Sequence, residues 1–202
     1  LHVAELSEVG GGKHLRLRLT RGTHAWGAIF FSTNAQRAAV AQGDTVDIAF
    51  TPQINEYRGM RSVQLNLVDI RPEKTVRDAQ GHDRALYRRH LAGEALSCDE
   101  AGELLPTRQE FVAVWRYLSA FSQEGVLSED LGCLSRKISR CAGLVLSAVK
   151  TRICLDVFAE QGLLLLEQRP KAMRIELCAA GRKVDLEKSP ILIHLKKQKA
   201  GT

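Results

Sequence analysis

No stretch of the chain approaches the roughly 18 to 20 consecutive apolar residues needed to span a bilayer, and no basic n-region followed by an apolar core opens it. Secretion, membrane insertion and a membrane partner are all unsupported. The five cysteines, Cys98, Cys133, Cys141, Cys154 and Cys178, are odd in number and scattered, with no C-x-x-C pair and no histidine at ligand spacing. They read as reduced, buried thiols of a cytoplasmic protein. Catalytic signatures are missing as well. Gly10-Gly-Gly-Lys13 lacks the G-x-x-x-x-G-K-[ST] spacing and leads into a strand pattern, where a phosphate loop leads into a helix. The six histidines are dispersed, no paired aspartate or His-x-Asp pattern supplies a two-metal cluster, and no nucleophile elbow or zincin motif occurs. The visible chemistry is binding, with no catalytic residue, metal ligand or cofactor site expected.

What is present is a globular composition, 45% hydrophobic and 26% charged over 202 residues, long enough for two small domains. A net charge of +6 suits an anionic partner without proving one. The excess is shared, with 8 basic against 6 acidic residues up to Pro72 and 21 against 17 beyond. The chain begins at Leu1, and it is expected to be a piece of a longer polypeptide.

Up to Pro72, short runs alternate apolar and polar residues and are broken by Gly, Asn and Pro, the signature of an all-β segment. Leu15, Leu17 and Leu19 share one face, with His14, Arg16 and Arg18 on the other. Further strands are expected at Trp26–Phe31, at Asp44–Phe50 with Val46, Ile48 and Phe50 inward, and at Ser62–Ile70 with Val63, Leu65 and Leu67 inward. One helix-capable stretch, 34–41, is interposed. This pattern predicts a small closed five-stranded barrel of the oligonucleotide/oligosaccharide-binding (OB) type. Residues 73–106 read as a polar linker with some helix. From Thr107 the period turns helical: Thr107-Arg-Gln-Glu110 is a capping box followed by the stripe Phe111, Val114, Trp115 and Leu118. A second helix is expected to begin at Ser128, with Glu129 and Asp130 in its first turn, and a third to run over 144–161 and stop at Gly162. Two strand-like runs, 163–168 and 173–178, complete a winged-helix-like module over 107–202. The fold class is therefore α+β in two modules.

For binding, Arg16 and Arg18 lie opposite the leucines; exposed strand arginines are as often there for solubility as for phosphates. Trp26 and Phe30 face outward if Ile29 and Phe31 face inward, where bases could stack on them, and the opposite phase is equally open. Asn55-Glu-Tyr-Arg-Gly59 with Arg61 reads as a hairpin tip placing Tyr57, Arg58 and Arg61 to grip a strand, or else as a solvated turn. In the second module, Arg136, Lys137, Arg140, Lys150, Arg152 and the lysines at 196, 197 and 199 are each read more readily as solvated charge than as a DNA-groove contact.

Gly12-Lys-His-Leu-Arg-Leu-Arg-Leu19, Gly43-Asp-Thr-Val-Asp-Ile-Ala-Phe50, Asn55-Glu-Tyr-Arg-Gly59 and Arg61-Ser-Val-Gln-Leu65 with Asp69-Ile-Arg71 resemble, in order and spacing, the barrel domain of RecJ-type single-strand-specific 5′ to 3′ DNA exonucleases. Leu104-Leu-Pro-Thr-Arg108, 111–118, 155–158 and 183–189 are similar to the extra C-terminal domain of some RecJ homologues. The resemblance implies a DNA-repair and recombination role, with Lys13, Arg16, Arg18, Arg58 and Arg61 guiding single-stranded DNA; His14, Trp26 and Tyr57 complete the expected nucleic-acid-binding set. It also implies a divalent metal, manganese or magnesium, in an N-terminal nuclease domain whose Asp-His-His and Gly-Gly-Gly-His motifs are absent here. The implied partners are single-stranded DNA, those nuclease domains and single-strand-binding protein. The alternative is a docking module with little DNA affinity of its own.

Overall fold

The computed structural model describes residues 1–57, 60–122, 125–170, 172–178 and 184–201, and of Gln36, Tyr57, Met60, Lys74, Thr75 and Arg77 the backbone alone. The chain is α+β and divides into two compact units, Leu1–Asp78 and Ala79–Thr202.

In the first unit, β1 (His2–Val9), β2 (His14–Arg21) and β3 (His24–Phe30) form an antiparallel meander, and the short α1 (Ala35–Ala38) follows. Strands β4 (Val46–Tyr57) and β5 (Met60–Pro72) make a long hairpin whose β5 runs parallel to β3. The mixed sheet has the order β1-β2-β3-β5-β4. Because successive strand side chains point to opposite faces, Leu15, Leu17 and Leu19 are buried while Arg16 and Arg18 are exposed. The leucines pack with Val3, Ala28, Leu65, Leu67 and Ile70, and each buried leucine contributes about 1.5–3 kcal/mol. Gly10, Gly11 and Gly12 in the β1–β2 turn all have positive φ, 62°, 67° and 80°, so the glycine run serves a turn that side chains would strain.

Three expectations for this unit are corrected. The sheet does not close as a ladder, since β1 and β4 are its edges. They meet at one end, through the isolated bridge His2–Thr45 and backbone hydrogen bonds from Val46 to Leu1 (2.7 Å) and from Val3 to Asp44 (2.9 Å). The 8 residues of β1 cannot follow the 12 of β4 along its length. Phe50, expected inward, is 46% exposed, because a bulge between Ala49 and Phe50 resets the alternation. Val63 is 53% exposed beside Ile54, for the hairpin there runs past β3, whose pairing with β5 begins only at Gln64.

The second unit contains most of α2 (Lys74–Leu91), then α3 (Cys98–Leu104), α4 (Arg108–Phe121), β6 (Val126–Glu129), α5 (Leu131–Ala142), α6 (Ala148–Glu160), β7 (Leu164–Arg169), β8 (Ala172–Leu177) and α7 (Pro190–Ala200). Its three-stranded antiparallel sheet has the order β6-β8-β7. The stretch read as a linker supplies Leu86, Leu96, Ala101 and Leu104 to the same core as Phe111, Leu134, Ile153 and Phe158. The Thr107 capping box forms: Thr107 Oγ1 accepts from the Glu110 amide, and Glu110 Oε2 from the Thr107 amide. The second helix starts later than its acids suggested. Ser128 and Glu129 pair with β8 as strand, and Asp130 becomes the N-cap by accepting from the Cys133 amide. The third begins at Ala148 after the Ser147 cap, 4 residues past the expected start. Helix α7, unforeseen in the periodicity, is capped by Ser189 with Pro190 in its first turn. All five cysteines are free, but Cys98 and Cys141 are exposed, against the expectation of burial. Among the described residues no helix is long and apolar enough to cross a membrane.

Candidate nucleic-acid interface

The outward face of the first sheet carries two cross-strand rows. Strand register places Ser7, Arg16, Ile29, Asn66 and Thr51 in one, and Glu5, Arg18, Gly27, Gln64 and Gln53 in the next. Of these, Arg16, Arg18, Gly27, Ile29 and Gln64 border, with Trp26 and Asn55, a groove of about 530 Å³. Arg16 is exposed and has no acidic partner among the described residues, whereas Arg18 Nη1 lies 3.3 Å from Glu5 Oε1. That bridge is solvent-exposed on both sides, so it holds Arg18 weakly and leaves it able to exchange Glu5 for a phosphate. Beside the arginines lies a chain of carboxamides: Gln64 Nε2 donates to Asn66 Oδ1 (3.1 Å), and Asn66 Nδ2 to Gln53 Oε1 (2.6 Å). Cations that meet phosphates and amides that meet base edges thus share one surface.

The remaining expected residues are distributed differently. Trp26 and Phe30 pack against the core with Ala28, leaving Gly27 and Ile29 on the outward face. The phase of β3 therefore takes the indole out of the outward row; its neighbour is the His24 ring, 5.9 Å away. His14 is held at the end of β2, where Nδ1 accepts from the Ser32 amide (3.1 Å) and the ring meets the Phe31 edge. Lys13 is exposed in the β1–β2 turn. Arg61 pairs in register with Glu56, on the side of Ile54 and Val63, and so alternates away from the Arg16 row. Tyr57 pairs with Met60 at the end of the hairpin, and Arg58, Gly59 and Lys183 lie outside the described residues. Gln53, Gln64, Asn66 and Gly27 were missed. Their signal was the alternation Gln64-Leu65-Asn66-Leu67, which assigns the amides to the face opposite the leucines.

Residues 1–69, about a third of the chain, match the family described as the RecJ OB domain. Over these residues the first unit is similar to a RecJ OB domain. No curated protein and no solved structure matches the chain. The strand order is β1-β2-β3-β5-β4 with a helix between β3 and β4, and the outward face lies on β2 and β3; in OB folds generally, the face of strands 2 and 3 takes oligonucleotides.

The second unit's basic residues are largely engaged within it. Lys150 Nζ pairs with the buried Glu110 at 3.0 Å, Lys137 with Glu129, and Lys196 with Glu187. On α6, Arg152 Nε pairs with Asp156 (2.9 Å) beneath the Tyr87 ring, and Tyr87 donates to the same carboxylate (2.7 Å). Burial pushes the Asp156 carboxyl above its ordinary range, opposed by Arg152. Asp83 accepts from the Val149 amide, so α2 lies over α6 and the helix is not free to enter a DNA groove. Among the described residues no three His, Cys, Asp or Glu side chains are placed to hold a metal ion.

Proposed function

We propose that the first unit is a partly open OB barrel that guides single-stranded DNA for a RecJ-like 5′ to 3′ exonuclease of repair and recombination, in the cytoplasm, and that these residues are its non-catalytic C-terminal region. The observation that carries the reading is the RecJ OB match over a surface where Arg16 and Arg18 border one groove with Gln64, the first of a row of amides. Arg16 and Arg18 hold phosphates in this reading, Lys13 and His14 lie at the near end of the same strand, and Tyr57 and Arg61, on the β4–β5 hairpin, together with Arg58, are proposed to embrace the DNA. The manganese or magnesium implied by the family is assigned in this reading to the nuclease domain. The test is anisotropy of a labelled oligo-dT of about 15 nucleotides, titrated with the chain at two salt concentrations. Affinity should fall as salt rises by about 0.7 log units per log unit of salt for each phosphate neutralised. Salt-independent or absent binding refutes the reading.

A second reading concerns the second unit, whose α4–β6–α5–α6–β7–β8 order supports a winged-helix-like module used for docking. On α4, Arg108, Val112 and Arg116 form an outward ridge, and neither arginine has an acidic partner among the described residues. Apolar grooves of about 810 and 680 Å³ flank that ridge, one beside Tyr117 and Phe121, the other beside Trp115 and Leu186. An acidic segment with apolar anchors fits it, from single-strand-binding protein or the enzyme's own nuclease domains. Arg108→Glu with Arg116→Glu should weaken binding of a labelled acidic-apolar peptide by about tenfold while leaving oligo-dT affinity unchanged. Equal peptide affinity in the folded double variant removes this surface.

A further inference from the structure

At the centre of the outward face stands Gly27, where the strand rule calls for a side chain. Its neighbours in the row are Arg18 on β2 and Gln64 on β5. Glycine weakens a strand interior, and one common reason for its presence is the close approach of a ligand to the backbone. No conformational reason holds here, because Gly27 is not among the positive-φ glycines. Nor does packing demand it: a Cβ built at Gly27 meets nothing within 4 Å. The absent side chain therefore leaves an open notch in the groove, between a cation and a carboxamide.

From this arrangement we infer a nucleobase subsite at Gly27, in which one base lies against the bare backbone beside Ile29 and turns its edge to the Gln64–Asn66–Gln53 amides. The inference rests on the single-strand-binding reading and goes further, because it makes part of the affinity depend on bases as well as phosphates. The outward rows contain no aromatic among the described side chains, although Trp26, the residue before Gly27 on β3, also lines the groove. Hydrogen bonding to the base edge is the contact proposed here. The amide chain runs one way, from Gln64 to Asn66 to Gln53, so its ends are an acceptor, Gln64 Oε1, and a donor, Gln53 Nε2, each without a partner among the described residues. A base edge with one donor and one acceptor side by side, as on adenine or cytosine, complements those ends.

The experiment compares a labelled 15-mer of dC with an abasic 15-mer of equal backbone length, each titrated with the whole chain at two salt concentrations. The dC oligomer should bind about tenfold tighter than the abasic one, the size of one good base contact. Gly27→Val fills the notch with a residue suited to strands, so the protein should fold as before. It should erase the tenfold margin and leave abasic binding and its salt dependence untouched. Asn66→Leu, in the neighbouring row, should also erase the margin. If the abasic oligomer binds with steep salt dependence but dC gains no margin, or if Gly27→Val keeps it, the base subsite is overturned and the phosphate reading stands. If neither oligomer shows salt-dependent binding, the DNA reading itself fails and takes the subsite with it.

Discussion

Arg16→Glu is expected to weaken oligo-dT binding at low salt by about tenfold or more and to lower the salt slope by about 0.7. The residue stands mid-strand on β2, exposed, opposite Ser7 and Ile29, with no acidic partner among the described residues. Its replacement therefore breaks nothing in the fold, and the stability change should stay within about 0.5 kcal/mol. What changes is the field of the groove, where a new carboxylate would join Glu5 and repel phosphate. Arg18→Glu is the poorer probe, because it also removes the Glu5 bridge and sets two acids side by side. Anisotropy titrations of the folded variant, checked by circular dichroism, decide the matter. Wild-type affinity and slope would take Arg16 out of the interface.

Phe158→Ala should destabilise the second unit by about 3–5 kcal/mol, a large share of what a domain of this size possesses. The side chain is 2% exposed, and its ring meets the edges of Phe111 (5.6 Å) and Trp115 (5.2 Å). Truncation leaves a cavity and removes both aromatic contacts. Of the chain's two tryptophans, Trp115 lies in this unit and Trp26 in the first. In a Trp26→Phe background, Trp115 fluorescence during urea unfolding reports the second unit alone. A midpoint equal to that of the background would contradict the packing described. Because the first unit has a separate core around Leu15, Leu17 and Leu19, its proposed oligonucleotide affinity should survive the substitution.

Much of this molecule was legible in one dimension where the pattern depends on near neighbours. The alternation of Leu15 to Leu19, the Thr107 capping box and the stop at Gly162 are all realised, because pleat, cap and left-handed turn are decided within a few residues. Errors arose where a distant partner decides. The acids at 129 and 130 look alike as helix-start signals, yet β8 recruits Glu129 into a strand and leaves Asp130 to cap. The linker's polarity hid four core residues, since each is apolar in isolation and only α3, α4 and α6 give it neighbours.

By itself the sequence determined the two-part division of character, the β-rich first segment, its RecJ resemblance, and the outward placement of Arg16 and Arg18, all consequences of local period. The phase of β3 was decided only in the tertiary structure. Trp26 and Gly27 have opposite meanings according to which faces the core, and that choice is made by packing against β2 and β5, far away in the chain. The same packing brings Gln64 beside Gly27, with Asn66 and Gln53 beyond it, and within the second unit α2 covers α6. Long-range contacts rather than composition thus turned a basic strand into a groove and withdrew a basic helix from one.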